Sequence, residues 1–180
     1  MIEMPTLERD GVRLRAFATT DAPLVQYVAA DELIPLITTV PRSPSAKEAQ
    51  DFIARQLDRH AQGVGYSFAI ADASTDEAVG QIGLWIPDIK HGRANIGYWI
   101  GAKYRRMNYA AKALAGVAEW AFTVPSVERL ELYVEPWNEG SWRTAEKVGF
   151  QREGLLRQWQ EVGSERRDMF MYSLLKGERA

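Results

Sequence analysis

The stretch RANIGYWIGAKYRRMNYAAKALAGVAEWAF, residues 93–122, changes its period midway, and that change decides the fold. Arg93 to Ile100 reads as a β-strand and Gly101 to Met107 as a loop. Ala110 to Phe122 reads as a helix that turns Leu114, Val117, Ala118 and Ala121 toward a core. The order strand, basic loop, helix start carries a chemical consequence. Amides left unpaired at a helix N-terminus, with about half a unit of positive dipole charge, form an anion site without side-chain help. Arg105 and Arg106 add forked donors that suit phosphate oxygens. The loop has neither the GxxxxGK[ST] nor the GxGxxG pattern, so some other phosphate-bearing ligand is implied.

The charge distribution points to the same place. Between Asp88 and Glu119 no acidic residue occurs, while Lys90, Arg93, Lys103, Arg105, Arg106 and Lys112 do. That stretch carries +6, so the chain's net −2 leaves −8 for the rest. Four of the six cations fall within ten residues at the strand-to-helix junction, where a bound anion would relieve their repulsion. A solvated basic patch is the commoner fate of such a cluster, and charge alone does not separate the two. A net charge of −2 argues against an electrostatic nucleic-acid binder.

Outward from the junction, Val12 to Phe17 alternates as a half-exposed strand, and Thr20, Asp21 and Pro23 open a helix with Leu24, Tyr27 and Val28 on one face. Ser45-Ala-Lys-Glu forms a capping box for a second helix, whose stripe is Ala49, Phe52, Ile53, Gln56 and Leu57; Pro35, Pro41 and Pro44 make the segment between them a loop. Tyr66 to Asp72, Val79 to Ile86 and Arg93 to Ile100 follow as an antiparallel meander. Beyond the central helix come a β-rich run Arg129 to Val134, a short helix Ser141 to Val148 stopped by Gly149, and strands near Phe150 to Trp159 and Asp168 to Leu174. The order βααβββαβαββ predicts an α+β fold, one domain over residues 1–180, with a central, mostly antiparallel sheet flanked by helices.

With no cysteine and only His60 and His91, disulfides, thiolate zinc sites, a cysteine nucleophile and a multi-histidine metal site are excluded, and no metal is expected. No apolar run approaches the ~20 residues that span a bilayer, and MIEMPTLERD lacks a basic region followed by an apolar stretch. The expectation is a cytoplasmic protein with no membrane partner.

At the junction the residues resemble a known family. Tyr98 to Leu114, YWIGAKYRRMNYAAKAL, is similar to the acyl-CoA pyrophosphate loop of the GNAT N-acetyltransferases in their ribosomal-protein-alanine (RimJ/RimL-like) branch. Asn138 to Phe150, NEGSWRTAEKVGF, resembles that branch's N-x-x-S … E-K-x-G-F element, and VRLRAF and Asp168 to Leu174 fit its ends. The resemblance implies a GNAT-like twisted sheet with two strands splayed around acyl-CoA, and direct acetyl transfer from acetyl-CoA to an amine. The amine belongs to a peptide N-terminus or a small molecule; a homodimer is compatible.

The resemblance also implies roles. Arg105, Arg106, Met107, Asn108, Tyr109, Ala110 and Ala111 would hold the pyrophosphate. A main-chain N–H of Trp99 or Ile100 would meet the oxyanion, Asn138 would bond the pantetheine arm, and Ser141 would protonate the departing thiolate. Helix capping is the alternative for Asn138 and Ser141. Glu135 is the first choice of base and Asp168 the second, with a surface or turn role the alternative for each. Trp85, Trp99, Trp137 and Trp142 would wall an acceptor pocket. The chain departs from the family at Arg106 and Asn108, where glycines are usual, and at Lys112 and Asn95, where glutamates are common. Those losses motivate a second expectation, a non-catalytic acyl-CoA-binding module.

Overall fold

The computed structural model describes residues 3–178. The strands are β1 Leu7–Arg9, β2 Val12–Arg15, β3 Gly65–Asp72, β4 Ala78–Trp85, β5 Arg93–Ile100, β6 Arg129–Val134, β7 Gln151–Val162 and β8 Glu165–Leu175. The helices are α1 Ala22–Val28, α2 Ile34–Ile37, α3 Ala46–Ala61, α4 Tyr109–Ala121 and α5 Glu139–Val148. One eight-stranded sheet runs β1-β2-β3-β4-β5-β6-β8-β7. Every neighbouring pair is antiparallel except β5 and β6, which are parallel.

The two-residue period divides the sheet's faces. Tyr66, Phe68, Ile82, Leu84, Ile96, Leu130 and Tyr172 point to one side, where α4 inserts Leu114, Val117 and Ala121 and α5 adds Ala145. On the other side Ala69 and Trp99 meet Val25 and Val28 of α1 and Phe52 and Ile53 of α3. Ser45 caps α3 by accepting the Glu48 N–H at 3.1 Å, as its box predicts.

The α+β class and the mostly antiparallel sheet agree with the sequence reading, with local differences. A short β1 pairs with β2, and α2 forms in the proline-bearing segment read as a loop, because Pro35 sits in its first turn, where a missing N–H costs nothing. Leu57, placed on the α3 stripe, is exposed, since the buried stripe is Ala49, Phe52, Ile53 and Gln56 and Leu57 falls on its rim. Tyr27 is likewise exposed, and its hydroxyl accepts the Lys103 N–H.

Candidate active site

The site begins where two strands part. β5 and β6 are in register only over Arg93↔Arg129, Ala94↔Leu130 and Asn95↔Glu131. Beyond that β5 continues along β4 to Ile100 and β6 along β8 to Val134, so the two arms diverge. The backbone groups facing the gap follow from the ladder. Gly101 donates its N–H to the Val79 carbonyl at 2.9 Å, so the amides of Trp99 and Gly97 point to β4 as well. Those of Tyr98 and Ile100 point into the opening. Trp99 therefore drops out as the main-chain donor, and Ile100 stays, joined by Tyr98. The Trp99 indole is buried in the opposite core, donating to Gln81 Oε1 at 2.7 Å.

Above the opening the loop keeps the left-handed turns that glycine usually supplies: Arg106 has φ 65° and Asn108 φ 62°. Asparagine tolerates this conformation; arginine holds it under strain. Asn108 does not cap α4 through its side chain, contrary to its type, because in the left-handed turn its Oδ1 faces Lys147 Nζ at 3.4 Å instead. The amides of Tyr109, Ala110 and Ala111 open the helix, whose Lys112 N–H is bonded to the Asn108 carbonyl at 3.1 Å. Met107 is exposed between the two turns.

The two arginines part company. Arg105 donates to Asp31 Oδ2 at 2.7 Å and, through Nε, to the Ile100 carbonyl at 3.1 Å, so it pins the loop to the chain and is not free for phosphate. Burial pushes the Asp31 carboxyl up, but the amides of Ile34 and Leu33 and the Arg105 guanidinium outweigh it and hold it low. Arg106 has no hydrogen bond or ion pair among the described residues. Tyr109 anchors the start of α4 by donating to Asp72 Oδ2 at 2.8 Å, which pushes its phenol up to about 12. Lys112 reaches back to the Asp10 carbonyl at 2.8 Å. A groove of about 370 Å³ beside α4 has Lys112, Lys147, Ala111 and Ala115 in its walls.

Asn138 stands at the N-cap of α5 and accepts the Ser141 N–H at 3.3 Å, so the capping role exists; its side-chain NH₂ has no partner among the described residues. Ser141 meets a residue the sequence reading did not select: Tyr98 Oη lies 3.1 Å from Ser141 Oγ and donates to the Ser141 carbonyl at 3.0 Å. This bond spans the gap from β5 to α5. Burial pushes the Tyr98 phenol up, so it stays protonated at neutral pH.

The candidate bases separate. Glu135, first residue past β6, is buried and accepts the Trp137 indole N–H at 2.7 Å. Asp168 accepts the Gln158 N–H at 2.7 Å and so holds a bulge in the β7–β8 hairpin where Gln158 has φ 50°, the structural role weighed against it as a base. Asn95, in register with Glu131, has a buried amide oxygen without a partner among the described residues. Glu131 is 2% exposed and takes bonds from Arg129 at 2.8 Å and Tyr133 at 2.9 Å. His60 packs its ring on Tyr66, and His91 lies exposed in the β4–β5 turn.

The four tryptophans do not form one wall. Trp99 is in the core, Trp142 is tied to the Pro136 carbonyl on the α5 side, and Trp137 is largely exposed. Trp85 lies on the sheet face opposite α4 and α5, as Trp99 does, but outside that core, flat across Gly83 and under the Arg59 guanidinium at 4.7 Å.

Residues 12–151 match the family model described as an acetyltransferase (GNAT) domain. An uncharacterized N-acetyltransferase, p20, of Bacillus licheniformis is 33% identical over 178 residues, covering 98% of this chain and 99% of its own. The structure of Mycobacterium smegmatis RimJ in complex with CoA-disulfide superposes with a TM-score of 0.79 at 24% identity, over 97% of this chain and 87% of that one. A ribosomal-protein-S5-alanine acetyltransferase from Vibrio fischeri gives a TM-score of 0.79 at 16% identity, over 98% and 99%. At those identities the two structures speak for the fold. Among the described residues no helix is long and apolar enough to cross a membrane.

Proposed function

Because the chain belongs to the GNAT acetyltransferase family, we propose that it transfers the acetyl group of acetyl-CoA to a primary amine by direct attack in a ternary complex. The observation that carries this is the loss of β5–β6 pairing after Asn95 and Glu131, directly below the start of α4. An opening lined by free strand amides suits the peptide-like pantetheine arm, and the helix start suits its diphosphate.

In this reading the amides of Arg106 to Ala111 and the Arg106 guanidinium hold the diphosphate, while Lys112 and Lys147 flank the groove for the adenosine phosphate. The N–H groups of Tyr98 and Ile100 and the side-chain NH₂ of Asn138 hold the arm. The amine nitrogen attacks the thioester carbon, and one of the two strand amides meets the oxygen as it becomes anionic. The C–N bond forms, the C–S bond breaks, and the thiolate takes a proton from Ser141 Oγ. Tyr98 positions that hydroxyl and can return a proton to it. Glu135, directly or through water, accepts the proton that the amine loses. An α-amine of pKa about 7.7–8.0 needs little help, which favours peptide N-termini and similar amines over lysine side chains.

The module without turnover loses one of its two motives, since Arg106 and Asn108 keep the loop's turns without glycine. The test is incubation with acetyl-CoA and a panel of peptides and small amines, following liberated CoA thiol; the chain has no cysteine to give a background. Acetyl-CoA-dependent thiol release with one amine class is the expected result. Binding without release across the panel favours the module.

A further inference from the structure

Gly97 sits in the middle of β5, yet it is exposed, while its cross-strand neighbour Gly83 is buried. A Cβ built on Gly97 finds only Trp85 Nε1, at 3.6 Å. A Cβ on Gly83 would strike the Trp85 ring at 2.1 Å, so Gly83 is what lets the indole lie flat. Arg59 covers the ring's outer side and is itself fixed by Gln56 Oε1 at 2.8 Å. The indole is thus held with its N–H edge toward the bare backbone of Gly97, and that N–H has no partner among the described residues. Gly97 directly precedes Tyr98, whose amide opens the gap, and it faces away from α4 and α5.

Resting on the transferase reading, we propose that the space above Gly97 is the slot for the acceptor, and that Trp85 Nε1–H donates to a carbonyl one carbon from the reacting amine. With acetyl-CoA entering from the α4/α5 side, the amine must approach through the sheet's other face, and Gly97 is the uncovered spot there beside the open edge. An indole can only donate, so the acceptor must present an acceptor atom next to its amine. An aminoacyl group does so, whether at a peptide N-terminus or in a free amino-acid amide. The flat ring beside a strand without a side chain leaves a narrow space, which suits a small α-substituent.

The test uses Gly97→Ala, Gly97→Val and Trp85→Phe with three amines: an alanine-initiated tetrapeptide, alaninamide and propylamine. Gly97→Ala meets no protein atom closer than 3.6 Å and has no positive φ, so the fold should tolerate it, with an unchanged or raised melting temperature. Acetyl-CoA affinity should stay within about twofold, while KM for the peptide and alaninamide rises about tenfold with Ala and further with Val. Trp85→Phe should raise KM for those two amines by about fivefold to tenfold and leave propylamine unchanged. Independently of turnover, the Trp85 indole N–H resonance, assigned by its loss in Trp85→Phe, should move on titration with the peptide or alaninamide. Movement with only one of these names the source of the aminoacyl group and supports the slot. Movement without thiol release leaves the slot standing and removes the transferase reading. A resonance unmoved by both the peptide and alaninamide, or turnover indifferent to Gly97→Val, overturns the slot and leaves the transferase reading untouched.

Discussion

Arg106 offers the sharpest perturbation, because its backbone and its side chain have separable consequences. Its φ of 65° places a non-glycine residue in the left-handed region, at a cost of about 1–2 kcal/mol. Arg106→Gly removes that strain but adds about 0.5–1 kcal/mol of unfolded-state entropy, so a net stabilisation up to about 1 kcal/mol is expected. For a chain of this length that is up to about 2–4 °C in melting temperature. Arg106→Ala keeps the strained φ and should leave the melting temperature close to wild type. Both variants lose the guanidinium. A charge-assisted bond to phosphate contributes about 1.5–3 kcal/mol, toward the low end at an exposed site, so both should bind CoA about tenfold more weakly, with a flatter salt dependence. Calorimetric titration with CoA at two salt concentrations, alongside thermal melts, reads both effects. Arg105→Ala is the internal contrast: it breaks the bonds to Asp31 and the Ile100 carbonyl, so it should lower the melting temperature more than the affinity. Wild-type affinity in both Arg106 variants would show that this side chain does not touch the diphosphate. A Gly variant that melts below the Ala variant would show that the turn is not strained, since only the unfolded-state entropy of glycine would then remain.

Tyr98→Phe and Ser141→Ala should each lower kcat by about tenfold or more with little change in CoA affinity, and the double variant should be no worse than Ser141→Ala if the two hydroxyls act as one unit; additive losses measured in steady-state kinetics would separate their roles. Glu153 is held down at about 2 by the paired bonds from Arg129. Its contribution is therefore present above pH about 4.5 and lost as pH falls toward 2, and Glu153→Gln should cost about 1 kcal/mol at pH 7 after allowance for exposure, a gap that denaturant melts should find closed at the acid end. Gln81→Leu strands the Trp99 indole N–H and removes a donor from Gln56 and Ser67 in a buried network. It should cost about 2–4 kcal/mol, near 10 °C in a thermal melt; a shift under about 2 °C would mean the network is dispensable.

How far the sequence reached depends on the range of the interaction. The junction at 93–122 was legible because strand period, basic loop and helix period are local, and residues 138–150 were legible by resemblance. The parting of β5 from β6 was not, because it depends on how two strands 36 residues apart in sequence (Arg93↔Arg129) come into register and where β8 takes over. Arg105 misled for the same reason: its partner Asp31 lies 74 residues earlier and nothing near Arg105 announces it. Tyr98 lies inside the quoted motif, but its value comes from reaching Ser141, 43 residues on. One local signal did exist for the acceptor face. Gly83 two residues before Trp85 is the spacing that lets a bulky ring fold back along its own strand, yet the glycine across from it, Gly97, could be found only through the β4–β5 register.

A strand that gives up one neighbour must be held by other means, and β5 shows how. The edge exposed beyond Asn95 would otherwise invite another strand or fray. Three side-chain bonds replace the missing ladder. The Trp99 indole ties β5 to Gln81, and through it to Ser67 and Gln56 of α3. Tyr98 Oη ties it to α5, and Arg105 Nε takes the Ile100 carbonyl at the strand's end. Two of these bonds consume side chains, and the third consumes a carbonyl; none takes the N–H of Tyr98 or Ile100. The clamps therefore hold the arm rigid while leaving its donors open, which an ordinary β-pairing could not do. For this reason the buried polar network under Trp99 and the loop arginine belong to the function of the opening, though neither lies where acetyl-CoA would touch it. It follows that loosening either clamp should raise exchange of the Trp99 and Gly101 amides, which are bonded to β4, before it alters any residue of the diphosphate loop.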